Sequence, residues 1–351
     1  MVRKERLELS RLATLEPKSS ASTNSATFAI CVGEDVRYHT DSFVIFAPLF
    51  RLIYKKRSIP MKAFIFFICY FLIASALAAL ISYPLFYIFG NDAFRFESWV
   101  TRLALIFLIL GLIPSFKYLD LSCQLIGHNN LAQSRLKQIS IGFISGLLIL
   151  SVVIFLLLFL QIRTLEPDAS LSLSIILKAL LAGVTVALIE ETLFRGLFFK
   201  LSLRWHNAIS AILISSFFYA ILHFIKPAIH IDQTHLTMIS GFEVIMNAFK
   251  GLSSLQADDF LALFSVGILL ATVRYKTQSL NHCIGLHASW VFLIKICKDL
   301  TDGNPSSDWA FLSGNYDGII GWFSFAWLIV CTIAYVVFVI KPSKQHLFNS
   351  Q

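Results

Sequence analysis

Apolar residues in this chain fall in long, nearly unbroken runs, unlike the alternation of a half-buried strand or the single stripe of a surface helix. A bilayer core of roughly 30 Å takes about 20 apolar residues per helical crossing. Runs near that length, bounded by charge, lie at 63–89, 99–115, 140–162, 171–199, 207–227, 258–273, 278–297 and 318–340. The second and sixth are the shortest. The pattern predicts an all-α, polytopic membrane protein of about eight transmembrane helices.

Composition agrees with lipid as the solvent. Of 351 residues, 57% are hydrophobic, 33 are Phe and only 14% are charged, which leaves more apolar surface than a soluble core can hide. Cytoplasmic loops carry the excess of Lys and Arg. Arg51, Lys55, Lys56, Arg57 and Lys62 precede the first run. Lys117, Arg135 and Lys137 follow the second, Lys200 and Arg204 the fourth, Arg274 and Lys276 the sixth, and Lys341 and Lys344 the eighth. Both termini are therefore expected in the cytoplasm, with the chain in the cell inner membrane. The net charge of +8 reads as charge against a membrane surface and calls for no nucleic acid. Cysteines 31, 69, 123, 283, 297 and 331 are scattered and imply neither a disulfide scaffold nor a zinc ribbon.

Residues 1–60 differ in kind. They are polar, with 10 Lys or Arg against 6 Asp or Glu, and read as a disordered basic segment. Met61, followed by Lys62 and an immediate apolar run, is an alternative start of translation. The integral membrane domain is expected over 61–351.

The densest chemistry lies in Ala187-Leu188-Ile189-Glu190-Glu191-Thr192-Leu193-Phe194-Arg195-Gly196, inside the fourth run. Each ionisable residue near a helix centre costs roughly 2.5–3.5 kcal/mol to insert. Glu191 and Arg195, at i and i+4, can offset one another. Glu190 points about 100° away and has no such neighbour, so it needs a distant partner. A partly desolvated carboxylate beside another suits proton transfer near neutral pH. The bland alternative is a charged helix end anchored at the interface, as Lys200 and Arg204 lie on that side.

Two histidines in later runs are candidate partners. His223 shares a helical face with Ser216 and Tyr219, and His287 lies midway through the seventh run. Taken singly, each reads as a satisfied buried side chain. Together with Glu190 they predict a water-filled chamber enclosed by the helices. Other groupings carry less. His230, Asp232 and His235 could bind a metal but flank an amphipathic stretch at 236–252 that could cap the chamber. Cys283 and His287 could form a thiol–imidazole dyad, which leaves Glu190 without a role. His282 faces elsewhere, and Lys178 snorkels.

These residues resemble a known family. Glu190-Glu191-Thr192-Leu193-Phe194-Arg195 is similar to the EExxxR signature of the CAAX-prenyl-protease and bacteriocin-processing intramembrane endopeptidases, and His223 and His287 resemble its second and third motifs. The resemblance covers about 171–297. Two positions depart from it: Tyr219 stands where Phe is usual, and Val291 where Asn or Asp is usual. The resemblance implies a peptidase in which Glu190 and His223 activate a water and His287 binds the oxyanion. Glu191 and Arg195 would support the site, and Trp290 is the nearest N–H donor to replace what Val291 lacks. The substrate would be a membrane protein or lipidated peptide. The same Glu190, His223 and His287 also form a ligand set for catalytic zinc. Divergence of the adjacent carboxylates favours the metal-free version, with no cofactor. A non-hydrolytic immunity factor or scaffold, or a proton-coupled transporter, are the readings from other classes.

Overall fold

A computed structural model describes residues 62–90, 94–122, 124–128 and 132–339. The 1–60 segment, the alternative start at Met61, and Lys341 and Lys344 lie outside the described residues. Helix α1 spans Lys62–Phe89, α2 Phe96–Leu110 and α3 Leu112–Tyr118. Next come α4 (Ala132–Phe159) and α5 (Leu173–Glu191). A π-helical stretch, Thr192–Phe198, carries α5 into α6 (Phe199–Trp205). Then follow α7 (Ala208–Leu222), α8 (Ser240–Lys250), α9 (Ala257–Thr277), α10 (Asn281–Leu300) and α11 (Trp322–Val339). Two short strands, β1 (Arg163–Leu165) and β2 (Thr301–Gly303), pair antiparallel with Thr164 opposite Asp302.

A helix occupies each of the eight apolar runs, but fewer can cross a membrane on length and hydropathy alone. Among the described residues five stretches qualify: Lys62–Phe89, Phe96–Tyr118, Ser134–Phe159, Leu173–Trp205 and Trp322–Val339. A sixth is added if Ser240–Ser254 and Ala257–Thr277, bent by 102°, count as one. Helix α7, at 15 residues, is shorter than its run suggested. Helix α10 carries Asn281, His282, His287 and Lys295 among its apolar residues. Outward-facing Leu72, Leu80, Tyr87, Leu148, Phe155, Leu181 and Phe338 are exposed, an apolar exterior suited to lipid. The protein is an integral membrane protein built of helices.

Helix α10 can be polar because other helices enclose much of it, and glycine makes that enclosure tight. Gly142 and Gly146 of α4, four residues apart, press on His282 and on Leu286 and Ser289 of α10. A Cβ on Gly142 would collide with the His282 carbonyl, and one on Gly285 with the Ile139 carbonyl. On the opposite flank, a Cβ on Gly183 of α5 would stand 2.5 Å from the Ala288 oxygen. Where lipid supplies no hydrophobic drive between helices, such small-residue contact lets dispersion and polar contacts hold them. Backbones pressed together on both sides leave α10 little freedom to turn, so His287 is held in one direction.

The amphipathic stretch forms α8, which packs on α1 and α2. Val244 is buried with Phe96 and Val100, and a Cβ on Gly241 would strike the Ala79 carbonyl. The loop before it is clipped to α2 by the buried Glu97, whose carboxylate accepts the Ile231 N–H at 2.7 Å and lies 3.7 Å from His230. Asp232 turns instead to Thr234, accepting its N–H at 2.9 Å and its hydroxyl at 2.7 Å. His230, Asp232 and His235 therefore do not converge as a metal site.

Candidate active site

The site forms where α5 passes into the π-helical stretch. Glu191 and Arg195 are both fully buried, and Arg195 Nη1 donates to Glu191 Oε1 at 3.0 Å. The guanidinium also lies 4.2 Å from the centroid of the Tyr219 ring. One carboxylate, one flat cation and one aromatic face thus compensate each other away from solvent.

Glu190 faces the other way and meets the two histidines. Its Oε2 is 3.7 Å from His223 Nε2 and 3.8 Å from His287 Nε2. That oxygen is buried and has no hydrogen-bond partner among the described residues, although the side chain as a whole is 25% exposed. The adjacent carboxylates diverge as helical geometry requires, yet they are not separated in function. The His287 ring stands between them, its Nδ1 held by Glu191 Oε1 at 2.8 Å and its Nε2 toward Glu190.

The end of α7 sets the other imidazole. The His223 N–H bonds to the Ala220 carbonyl at 3.2 Å, one residue short of the α-helical partner. That tightening frees the Tyr219 carbonyl, which His223 Nδ1 reaches at 2.6 Å. A carbonyl only accepts, so Nδ1 carries the proton and Nε2 turns its lone pair toward Glu190. The helix therefore ends at His223 because the imidazole takes the carbonyl that would have continued it.

Trp290 does not join the cluster. Its indole N–H donates to the Gly146 carbonyl at 3.0 Å, which ties α10 to α4 and leaves no donor for the site. Cys283 points away as well, its thiol donating to the Leu270 carbonyl at 3.3 Å, so no dyad with His287 forms. Lys178 is exposed on α5.

Three neighbours were not anticipated. Thr192, beside the glutamates, meets His128 Nε2 at 3.2 Å. Burial, with Arg135 and Arg274 nearby, pushes that imidazole down from its ordinary 6.5 to about 4. Glu97 clips the outer loop, as described above. Tyr316, in the loop before α11, brings its ring to 6.1 Å from that of His223. Only Glu97 carried a local signal, as an acid at the start of an apolar helix.

Zinc needs three protein donors about 2.0–2.2 Å from one point. Among the described residues no group of three or more His, Cys, Asp or Glu side chains stands out as a metal cluster, and Glu190 Oε2 lies 3.7 and 3.8 Å from the Nε2 atoms of His223 and His287.

Residues 172–293 match the family model described as type II CAAX prenyl endopeptidase, Rce1-like. No curated protein and no solved structure matches the chain.

Proposed function

We propose, from the match of residues 172–293 to the type II CAAX prenyl endopeptidase model, that this protein hydrolyses a peptide bond within the membrane by a metal-free, glutamate- and histidine-assisted attack of water. The observation that carries the reading is the buried, unpartnered Glu190 Oε2 facing the Nε2 atoms of His223 and His287 at 3.7 and 3.8 Å. Separations of that size suit a water that hydrogen-bonds to all three.

Each group then has a distinct task. Glu190 takes a proton from the water as its oxygen attacks the scissile carbonyl carbon, and His223, locked with its lone pair inward, accepts the water's other hydrogen bond. His287, as an imidazolium, donates from Nδ1 to Glu191 and from Nε2 to the oxyanion. Glu190 returns its proton to the leaving amine as the C–N bond breaks. Arg195 neutralises Glu191, so that this carboxylate orients His287 without competing for the water's proton.

The family description points to prenylated C-terminal peptides as the substrate class, with other membrane-anchored peptides next. The basic loops favour both termini on the cytoplasmic side of the cell inner membrane.

Cleavage of an internally quenched farnesylated peptide by protein in liposomes is the test. Glu190→Gln and His223→Ala should each abolish turnover while the helical circular dichroism is unchanged. Full activity in both variants would refute this glutamate- and histidine-assisted mechanism, and no cleavage by the native protein would favour a scaffold or a transporter. Activity lost on chelation and restored by stoichiometric zinc would replace the metal-free mechanism.

A further inference from the structure

The site as described has one deficit. In the mechanism above His287 is the side-chain donor assigned to the oxyanion; Val291 has no polar atom, and the Trp290 N–H is spent on Gly146. A buried tetrahedral oxyanion held by one donor is poorly stabilised. A second donor from a neighbouring loop would remedy this.

The loop 313–321 is built to present one. Its ends are tied by Gly314 N–H to the Ile320 carbonyl at 2.6 Å. Asp317 Oδ1 accepts the N–H groups of Ile319 and Ile320, each at 2.9 Å. Buried Arg163 reaches the Gly318 carbonyl at 3.2 Å and the Thr301 hydroxyl at 2.6 Å, which fixes the loop to the β1–β2 pair. Asp259 of α9 accepts the Tyr316 N–H at 3.0 Å. So many anchors on so short a loop hold Tyr316 as a helix would.

The Tyr316 side chain reaches the site from this base. Its ring lies 6.1 Å from His223 and 5.5 Å from Phe224, with Lys226 Nζ 4.5 Å from its centroid on an aromatic face. Among the described residues its hydroxyl has no protein partner, and the residue is half-buried, so one edge stays open to a bound peptide. Burial raises the phenol well above its ordinary value, and the carboxylates of Asp317, Glu190 and Asp259 add to the effect. The hydroxyl therefore keeps its proton at neutral pH and serves as donor to an anion.

We propose that the Tyr316 hydroxyl is a catalytic residue: it donates a hydrogen bond to the tetrahedral intermediate beside His287, in place of the side-chain donor absent at Val291. No proton is transferred in this role. The phenol O–H bond stays intact while its hydrogen faces the oxyanion, and the contact is lost when the carbonyl re-forms. The inference rests on the endopeptidase reading above.

Tyr316→Phe keeps the ring, the Lys226 contact and the backbone anchors and removes only the hydroxyl. With the farnesylated peptide in liposomes, kcat should fall about 10²-fold with KM little changed, since the bond forms in the transition state. A phosphinic analogue of the same peptide, which carries the tetrahedral oxyanion, should bind the variant at least tenfold more weakly than the native protein. Equal affinity for the analogue, or no binding by the native protein, overturns the proposal. A loss in Tyr219→Phe with none in Tyr316→Phe would assign the donor to Tyr219 instead. Glu190→Gln separates the two levels: if it stays active, the endopeptidase mechanism fails; if it is inactive while Tyr316→Phe matches the native protein, only the tyrosine assignment fails.

Discussion

Removing one member of the Glu191–Arg195 pair should damage the protein more than removing both. The two side chains have no exposed surface and meet at 3.0 Å, and Glu191 is also bound to His287 at 2.8 Å. Arg195→Met keeps a long apolar stem under Tyr219 but leaves the Glu191 carboxylate without its cation. Breaking a buried pair from one side costs about 3–5 kcal/mol, chiefly the unpaired charge left behind. Glu191→Gln leaves the opposite orphan, and a loss of similar size is expected. In the double variant neither charge remains. Its loss should be no greater than either single one, which corresponds to a coupling of about 3 kcal/mol or more, at the upper end for neighbouring residues. Unfolding of the four proteins in mixed micelles, followed by loss of helical signal against denaturant, measures the cycle. Single losses that simply add would refute the view that each group exists to neutralise the other. Catalysis gives a second readout, because the double variant should recover stability without recovering turnover, His287 having lost its carboxylate.

Three further outcomes follow from the structure. Trp290→Phe strips the Gly146 carbonyl of its donor and should cost about 1–3 kcal/mol of stability with turnover nearly unchanged; a large fall in kcat would return Trp290 to the oxyanion. Gly285→Val drives a side chain into the α4 backbone at Ile139 and should prevent α10 from seating, seen as lost protection of the Trp290 indole from solvent and lost activity. His128 is held near 4 against an ordinary 6.5, so the unfolded chain binds the extra proton, and stability should decline as pH falls from about 6.5 to 4. The ceiling for that term is roughly 3 kcal/mol. His128→Gln should flatten this slope in pH-dependent denaturation.

The sequence by itself determined the solvent and pointed to candidate chemistry. Long apolar runs can be satisfied only in lipid, so the helical membrane class was legible from hydropathy, as was the candidate trio, since Glu and His are too costly in a bilayer to be left there idle. Tertiary structure decided how those residues meet. Whether α10 can afford polar side chains depends on Gly142, Gly183 and Gly285 closing it between α4 and α5, a contact between segments far apart in the chain. The role of Trp290 turned on whether its N–H found the Gly146 carbonyl, 144 residues away. Tyr316 sits in a polar loop whose hydrophobic pattern carries no signal, and tertiary anchors such as those from Asp259 and Arg163 hold it beside His223. Hydrophobic periodicity reports which face of a segment leaves water. It holds no information about which segment, carbonyl or loop lies opposite, because that is settled by packing among helices that lipid alone would leave apart.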